Sequence, residues 1–243
     1  MTDNIRHSTE FDAELARIET EYQRRACNHE YNDLYSYFNE GALLQYQSLE
    51  RNLLAMLKRH TYSNLAEKKI LDVGCGNGQL LQRFINYGAY PENLHGIDLL
   101  SQRIEQAQIL HPTINWYTGS AHQLPYPDET FDLVTSFVMF SSILDQQMRQ
   151  RIADEMWRVQ KPGGLILFYD FTYSNPYNPA VRGVTHRQLR QYFQRPGAAF
   201  DFKRITLAPP VARRMATRTY WLASTLECVG IFNTHSLCVI RKQ

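Results

Sequence analysis

The chain has 243 residues, 44% of them apolar and 21% charged, and its formal net charge is +2. This composition is that of an ordinary globular protein and excludes a wholly disordered or collagen-like chain. The near balance of 26 basic against 24 acidic residues provides no general field for nucleic acid or for an anionic membrane, so we expect neither partner.

The cysteines and the first residues predict the compartment. Cys27, Cys75, Cys228 and Cys238 form no C-x-x-C pair and do not alternate with histidines as in a zinc site, so we expect reduced thiols and no metal. The residues after Met1 are polar and lack the apolar core of a signal peptide. The sequence therefore predicts a cytoplasmic protein.

Residues 1–67 are predicted to form an N-terminal helical extension. Apolar residues recur there at helical spacing, first as Phe11, Leu15, Ile18 and Tyr22 and again between Leu43 and Leu57. From Lys68 the pattern changes to alternating strands and helices, so residues 68–243 are predicted to be a separate α/β domain.

The α/β part begins with five predicted strands. They are Ile70 to Val73, Leu94 to Asp98, Ile114 to Thr118, Phe131 to Val138 and Leu165 to Asp170. Helices are predicted between them, with Ser101 and Asp145 as N-caps, and a turn is predicted at Lys161 to Gly164. This alternation predicts a doubly wound, mostly parallel sheet with helices on both faces.

The C-terminal third is predicted to hold one more helix and two more strands. The helix is Arg187 to Phe193, and the strands are Phe202 to Leu207 and His235 to Ile240. About 27 residues separate the two strands, which is longer than an ordinary connection. We therefore predict a lid insertion at residues 209–232, and we expect it to form the acceptor pocket together with residues 10–40.

A glycine-rich loop follows the first predicted strand, in the sequence D-V-G-C-G-N-G from Asp72 to Gly78. Glycines there allow positive φ and bring the backbone close to a ligand at a helix N-terminus. Asp98 ends the second predicted strand about 20 residues later, where a carboxylate can accept hydrogen bonds from ribose hydroxyls. Gln79 stands where the dinucleotide fingerprint requires its third glycine, which disfavours NAD.

The order of motifs resembles that of the class I S-adenosylmethionine-dependent methyltransferases over most of residues 60–243. Besides the glycine loop, Leu94 to Leu99 looks like the family's ribose strand and Phe131 to Val134 like its F-D-L-V strand. Arg158 to Gly164 looks like the R-V-L-K-P-G-G turn, with Gln160 in place of leucine. The resemblance implies a seven-stranded sheet with an antiparallel last strand and S-adenosylmethionine as cofactor, without a metal.

The resemblance also implies roles for the glycine loop. Gly74 and Gly76 would line the methionine and ribose side of the cofactor. Asp72 would lie near its ammonium group, directly or through a water. Cys75 would contact the cofactor through the loop, and its side chain is interpreted as a space-filler rather than a nucleophile.

The remaining predicted cofactor contacts follow later strands. By resemblance, Asp98 would hold the ribose and Leu99 would pack on the adenine. Gly119 to Pro125 looks like the family's G-D-A-x-x-L-P loop, with Ser120 in place of the acidic residue that contacts the adenine amino group. The predicted contacts in this group also include Ala121, His122 and Phe137.

Catalytic and acceptor-binding candidates come from strand ends and from the extension. Asp170 and His186 are candidate bases, with His29, Tyr173 and Tyr177 as further ones. Asp170 is at least as well interpreted as a strand-end carboxylate bonded to a loop, and His186 is better interpreted as a residue at the start of the helix Arg187 to Phe193. The acceptor-binding candidates are Tyr22, Arg25, Tyr35, Phe140 and Tyr173. Arginines are concentrated in the extension and in the C-terminal third, which is typical of an anionic acceptor or of a solvated surface.

The implied activity is direct in-line methyl transfer from S-adenosylmethionine to an oxygen or nitrogen, less often a carbon, of a small molecule, leaving S-adenosylhomocysteine. Residues 169–182 resemble uncharacterised bacterial methyltransferases, which suggests a glycan or secondary metabolite as acceptor. Two alternatives are a nucleic-acid methyltransferase and a cofactor-binding module without turnover. The near-neutral charge and the lack of an N-P-P-Y-type tetrapeptide after the fourth strand disfavour the first of these.

Overall fold

The computed structural model describes residues 2–26, 33–175, 178–216 and 219–243, with side chains from residue 11 onward. Its seven strands form one sheet in the order β3-β2-β1-β4-β5-β7-β6. The strands are β1 (Ile70–Val73), β2 (Leu94–Asp98), β3 (Asn115–Thr118), β4 (Phe131–Phe137), β5 (Gln160–Phe171), β6 (Ala198–Leu207) and β7 (Asn233–Lys242). Only β7 runs antiparallel to its neighbours, which confirms the predicted sheet.

Helices precede the sheet and connect its strands. They are α1 (Thr2–Ala26), α2 (Glu40–Arg59), α3 (Gln79–Asn86), α4 (Ser101–Leu110), α5 (Gln146–Val159), α6 (His186–Tyr192), α7 (Pro209–Ala216) and α8 (Tyr220–Val229). The predicted lid insertion holds α7 and α8. None of the helices in the described residues is long and apolar enough to cross a bilayer.

The ends of several elements differ from the predicted ones, and two of these differences have a clear structural reason. The N-cap of α4 is Leu100 rather than Ser101, because the Asp98 carboxylate accepts the Leu100 N–H at 3.0 Å and fixes the turn one residue earlier. The predicted turn at Lys161 to Gly164 lies within β5, as a break in register: Gln160 pairs with Phe131 and Leu165 with Leu133. Asp145 caps α5 as predicted, by accepting the Met148 N–H.

Apolar side chains cover both faces of the sheet. On one face, α5 and α6 bury Ile152, Met156 and Leu189 against strand residues such as Phe168. On the other face, α2 and α3 bury Leu53 and Phe84 against strand residues that include Leu133 and Leu167. The doubly wound arrangement places the carboxyl ends of the parallel strands at one edge, where such sheets bind ligands.

Helix α1 has no place in the sheet and packs beside it. Phe11, Leu15 and Ile18 contact the same apolar cluster as α5 and α6, in agreement with the helical spacing of these residues in the sequence. Helix α2 contacts α7 so closely that a Cβ at Gly41 would lie 2.7 Å from the Arg213 Cα. Helix α1 therefore packs on the sheet domain, and α2 packs on α7 of the insertion.

Candidate active site

The glycine loop between β1 and α3 is tied to β2. The N–H groups of Gly74 and Cys75 both donate to the Ile97 carbonyl, at 2.8 and 3.0 Å. Gly74 and Gly76 have φ values of 78° and 55°, in the left-handed region that favours glycine. Among the described residues, a Cβ at Gly76 would have only the Arg103 Nη1 within 4 Å, at 3.5 Å, so the backbone there faces space that the described residues leave open.

Asp98 lies directly beside this loop. Its Oδ2 accepts the Gly76 N–H at 2.8 Å and its Oδ1 accepts the Leu100 N–H. These two bonds fix the carboxylate, and only 8% of the residue is exposed. A carboxylate has about four lone-pair sites, which leaves acceptors for two further donors. A fixed carboxylate next to an open glycine backbone fits the ribose end of a nucleoside cofactor.

Asp72 is buried under the loop. Burial raises the pKa of its carboxyl to about 7; the hydrogen bond from the Thr135 hydroxyl, 2.7 Å from Oδ1, opposes this shift, and the negative charge of Asp98 adds to it. A buried carboxyl of this kind becomes a stable anion when a cation comes close. The residues present therefore fit S-adenosylmethionine, whose ammonium group the family resemblance places here.

Cys75 and the third loop glycine have packing roles. The Cys75 sulfur would lie 2.9 Å from a Cβ at Gly96, so it fills the space under the loop, and burial raises the pKa of its thiol. A Cβ at Gly78 would lie 2.4 Å from the Trp116 ring, and one at Gly96 would lie 2.3 Å from the same ring. These glycines allow Trp116 to pack against β2 and the loop, and the structure supports the space-filler interpretation of Cys75.

The predicted adenine residues lie on the carboxyl side of β2 and β3. Leu99 follows Asp98 and is half-buried, as are Ser120 and Ala121. His122 Nδ1 lies 2.6 Å from the Ser120 Oγ, and its ring centroid lies 5.4 Å from that of Phe11 in α1. The Ser120 hydroxyl, which replaces the family's carboxylate, therefore already has a partner within the chain.

The loop after β4 brings a strained residue next to the glycine loop. Val138 has a φ of 54°, although its side chain is β-branched, and its N–H donates to the Tyr169 carbonyl at 2.7 Å. Such strain costs of the order of 1–3 kcal/mol and is typical of functional sites. The next residue, Met139, covers Gly74, with its sulfur 2.7 Å from the position of a Cβ there.

Asp170 holds this loop and is not exposed to a substrate. Its Oδ2 accepts the Ser141 N–H at 2.9 Å, its Oδ1 accepts the Phe171 N–H at 2.7 Å, and 1% of the residue is exposed. Burial raises the pKa of its carboxyl to about 6, while the hydrogen bonds and nearby Arg149 oppose the shift. These bonds are the ones that the loop-bonded interpretation of Asp170 describes.

Helix α1 is bonded to the same loop. Glu14 Oε1 accepts the Leu144 N–H at 2.5 Å, and Arg17 Nη2 donates to the Ser142 carbonyl at 2.6 Å. The Tyr22 hydroxyl lies 3.1 Å from the Ser142 Oγ. These contacts place α1 at the carboxyl edge of the sheet, over the region between the glycine loop and the β4–α5 loop.

Arg103 lies at the candidate site although it is not among the predicted residues. Its guanidinium lies over the Tyr22 ring, 4.4 Å from the centroid, and reaches the space above Gly76. Among the described residues, no carboxylate forms an ion pair with it. Its position five residues after Asp98, in the first turn of α4, is the sequence signal that could have identified it.

A group of aromatic rings, which we call the edge cluster, lies at the carboxyl ends of β4 and β5 and the adjacent start of β7. It consists of Phe137, Tyr169, Phe171 and His235. Tyr169 stacks on His235 with centroids 5.0 Å apart, and the Phe137 ring lies 5.5 Å from Tyr169. Burial lowers the pKa of His235 to about 3, so its ring is neutral at pH 7. Phe137, predicted as a cofactor contact, joins this cluster to the loop that carries Met139.

The other predicted residues are dispersed. His186 Nε2 lies 2.8 Å from the Ser236 Oγ and its ring stacks on Phe202 at 4.3 Å, so the predicted base is part of the packing of α6 on β6 and β7. Phe140 is fully buried, 5.1 Å from the Phe168 ring, which leaves it no face for an acceptor.

Three of the acceptor-binding candidates occupy separate places. Arg25 lies over the Tyr22 ring at 5.1 Å, on the same helix, and bonds to Glu21. Tyr35 lies beside α2 and α7, and its carbonyl accepts the Tyr46 hydroxyl. Half of Tyr173 is exposed, and its hydroxyl accepts from Arg204. The candidate bases His29 and Tyr177 lie outside the described residues.

Comparisons with known proteins identify the central part of the chain. Residues 70–164 match a family model described as a methyltransferase domain. The phthiotriol/phenolphthiotriol dimycocerosates methyltransferase 1 of Mycobacterium ulcerans is 30% identical over 143 residues, which are 56% of this chain and 49% of the relative. The demethylmenaquinone methyltransferase of Streptomyces griseus is 32% identical over 105 residues, 43% of each chain. The chain spans about half the length of these curated relatives or less.

Solved structures share the fold at low identity. An S-adenosylmethionine-dependent methyltransferase from Mesorhizobium loti superposes with a TM-score of 0.57 at 17% identity, over 77% of this chain and 96% of that one. The [4+2]-cyclase SpnF superposes with a TM-score of 0.55 at 19% identity, over 77% of this chain and 80% of that one. Together with the motifs at Asp72 to Gly78 and at Asp98, these findings show a methyltransferase domain at residues 70–164, in a chain that shares its fold with S-adenosylmethionine-dependent methyltransferases.

Proposed function

We propose that the chain transfers the methyl group of S-adenosylmethionine to a small apolar acceptor. The observation that carries this proposal is that the loop after β4 connects the glycine loop to the edge cluster. Met139 covers the glycine loop, and Phe137, two residues earlier, belongs to the edge cluster. A cofactor on the first surface and an acceptor on the second would therefore meet at the end of β4.

On the cofactor side, Asp98 would hold the ribose, Asp72 would lie near the ammonium group, and the backbone of Gly74 and Gly76 would face the methionine. Ser120 and Ala121 would contact the adenine. S-adenosylmethionine, when bound, supplies a methyl group on a sulfonium that is itself the leaving group. The chain itself would align the acceptor with that methyl group and exclude water. Helix α1, which is bonded to the loop after β4, would exclude the water.

On the acceptor side, the half-buried rings of Phe137 and Phe171, which lie on the buried rings of Tyr169 and His235, favour an apolar, flat ligand. His235 is neutral because burial lowers its pKa, and burial raises the pKa of Tyr169, so neither ring carries charge at pH 7. Neutral aromatic faces bind apolar rings and chains better than charged groups. Relatives that match the chain are named for a demethylmenaquinone and for a malonyl-acyl carrier protein, which are consistent with a small-molecule or acyl acceptor.

The test is a methyl-transfer screen. The purified chain is incubated with S-adenosylmethionine labelled in its methyl group and with apolar, polar and nuclease-treated extract fractions. We expect label in the apolar fraction, with S-adenosylhomocysteine formed in equal amount. Label confined to the polar fraction would contradict the apolar acceptor, and label lost on nuclease treatment would favour the nucleic-acid alternative. Because the fold also carries a [4+2]-cyclase, acceptor conversion without S-adenosylhomocysteine would overturn methyl transfer itself.

A further inference from the structure

Helix α8 in the insertion presents an unusual outward face. Trp221, Leu222 and Val229 are 70%, 41% and 60% exposed, and the other exposed positions of the helix are Tyr220, Thr225 and Cys228, so this face carries no charged residue. Surface helices ordinarily expose charged and polar residues and bury apolar ones. The outward face of α8 therefore has the composition of a buried one.

The charged residue of α8 points inward. Glu227 is buried, its Oε1 accepts the Thr206 N–H at 3.1 Å, and its Oε2 lies 3.6 Å from Arg51 of α2. The helix is thus held to the domain by a polar contact, while its apolar side is left to solvent. This orientation is fixed by specific bonds, so the exposed apolar face is a consequence of how α8 is attached.

The apolar surface continues past the end of the helix. Ile231 and Phe232, after Gly230, are 72% and 48% exposed. We call the surface formed by Trp221, Leu222, Val229, Ile231 and Phe232 the α8 patch. Contiguous exposed apolar surface of this kind marks an interaction site in a monomeric protein.

The charge of the sequence segment that carries the α8 patch indicates its partner. Residues 202–232 hold five basic residues and one acidic residue, a net charge of +4 in a chain whose total is +2. The basic residues are Lys203, Arg204, Arg213, Arg214 and Arg218, and the acidic one is the buried Glu227. The segment that carries the patch therefore bears an excess of positive charge.

From these observations we infer that the α8 patch docks on the surface of an anionic lipid bilayer. Apolar side chains with a tryptophan would enter the interface, while basic residues of the same sequence segment would meet the negative headgroups. A second copy of this chain is a poorer partner, because an isologous contact would bring two segments of the same positive charge together. The ten residues of α8 are about 15 Å long, too short to span, so the helix would lie on the bilayer.

This inference revises the expectation that no membrane takes part. That expectation rested on the total charge, in which the positive segment is cancelled by the rest of the chain. Docking would also bring lipid close to the acceptor side, since the Thr206 that bonds to Glu227 also lies 2.8 Å, oxygen to oxygen, from the Tyr169 hydroxyl in the edge cluster. This last step rests on the proposed function; the docking itself does not.

The experiment measures co-sedimentation of the whole chain with vesicles. Vesicles of phosphatidylcholine containing about 30 mol% phosphatidylglycerol are compared with pure phosphatidylcholine, at low and high salt. We expect at least tenfold tighter binding to the anionic vesicles and weaker binding at high salt. Equal binding to both, or no binding to the anionic vesicles, would overturn the inference.

A variant and a matched control locate the contact. Trp221→Ser combined with Ile231→Ser should reduce vesicle binding about tenfold or more, because these side chains supply much of the apolar area. Ile109→Ser is the control: Ile109 is 81% exposed on α4, outside the patch, and its replacement should leave binding unchanged. Equal losses in both variants would contradict the assignment to the α8 patch.

Two further readouts separate the possible outcomes. Thermal unfolding should be similar for the variants and the parent, since the replaced side chains are exposed. If the double variant instead changes a dimer into a monomer by sedimentation, and the parent does not bind vesicles, the patch is a contact between copies of this chain and the inference fails. Cofactor binding, measured in parallel, reports on the proposed function independently of docking.

Discussion

The guanidinium of Arg103 lies over the ring of Tyr22, with its central carbon 4.4 Å from the ring centroid. This contact joins α4, which follows the ribose carboxylate, to α1, which is bonded to the β4–α5 loop through Ser142. The N-terminal helix and the cofactor side of the site are therefore coupled through one cation–π pair. Because the same guanidinium reaches the space above Gly76, its position suggests a role in binding an anionic group of the cofactor.

The first prediction concerns that anionic group, the methionine carboxylate. Arg103→Met should weaken S-adenosylhomocysteine binding about tenfold or more, because a charge-assisted hydrogen bond contributes roughly 1.5–3 kcal/mol. Methylthioadenosine, which lacks the carboxylate, should bind the variant and the parent equally in calorimetry. Arg83→Met, on α3, serves as the control. Equal losses for the two ligands would show that Arg103 acts only through the fold.

The second prediction tests the ribose carboxylate. Asp98→Asn should weaken binding of S-adenosylhomocysteine at least tenfold, since the amide loses the charge that strengthens both the ribose bonds and the bond from the Gly76 N–H. Near-parental affinity in a folded variant would place the ribose elsewhere. Circular dichroism is the control for folding, because Asp98 also fixes the start of α4.

The third prediction follows from the burial of Asp72, which raises the pKa of its carboxyl to about 7. A cationic cofactor nearby lowers that pKa, so binding near pH 7 should release a fraction of a proton, and affinity should rise with pH through that range. Calorimetry in buffers of different ionisation enthalpy measures the released protons. Asp72→Asn should abolish the release; if the variant releases as much as the parent, another group is responsible.

The stability of the cofactor-free fold should change with pH in the direction opposite to the cofactor affinity. Because the pKa of Asp72 in the folded chain is above its ordinary value of 3.8, the protonated carboxyl stabilises the cofactor-free fold most below that value, and the contribution is lost as the pH rises through about 7. Unfolding of the cofactor-free chain should therefore become easier over that interval. Asp72→Asn should flatten the pH dependence, although Asp170 adds a smaller one in the same direction.

The fourth prediction concerns the strained turn at Val138. Val138→Gly should leave the stability unchanged or raise it by about 1 kcal/mol, since glycine adopts a φ of 54° without strain. Val73→Gly is the comparison, because Val73 is fully buried and its removal leaves a cavity. Denaturant unfolding measures both. A clear loss of stability in Val138→Gly would mean that side-chain packing outweighs the backbone strain.

The fifth prediction concerns the attachment of α1. Glu14→Gln weakens the acceptor for the Leu144 N–H and removes the ion pair with Arg17, so α1 should be cleaved faster by trypsin, and turnover should fall more than cofactor affinity. Glu19→Gln, on the same helix, is the control. Unchanged turnover together with faster cleavage would show that α1 is only an appendage.

The glycine loop, the carboxylate of Asp98 and the alternation of strands and helices could be predicted from the sequence. These features depend on local conformation: positive φ favours glycine, and a hydrophobic period of two or of 3.6 residues indicates a strand or a helix. The amphipathic face Phe11, Leu15 and Ile18 was likewise predictable, because a helix must bury its apolar side. The sequence by itself thus determined the glycine loop, the carboxylate beside it and the order of strands and helices.

Only the tertiary structure decided how the remaining residues are used. Asp170 and His186 have the chemistry of bases, yet the contacts that bury and bond them depend on Ser141 and Ser236, far away in the chain. Arg103 became a site residue because α1 brings Tyr22 over it, and the outward face of α8 became apolar because Glu227 bonds inward. In each case the role depends on which groups a side chain meets across the fold, and those groups are separated by tens of residues in the sequence.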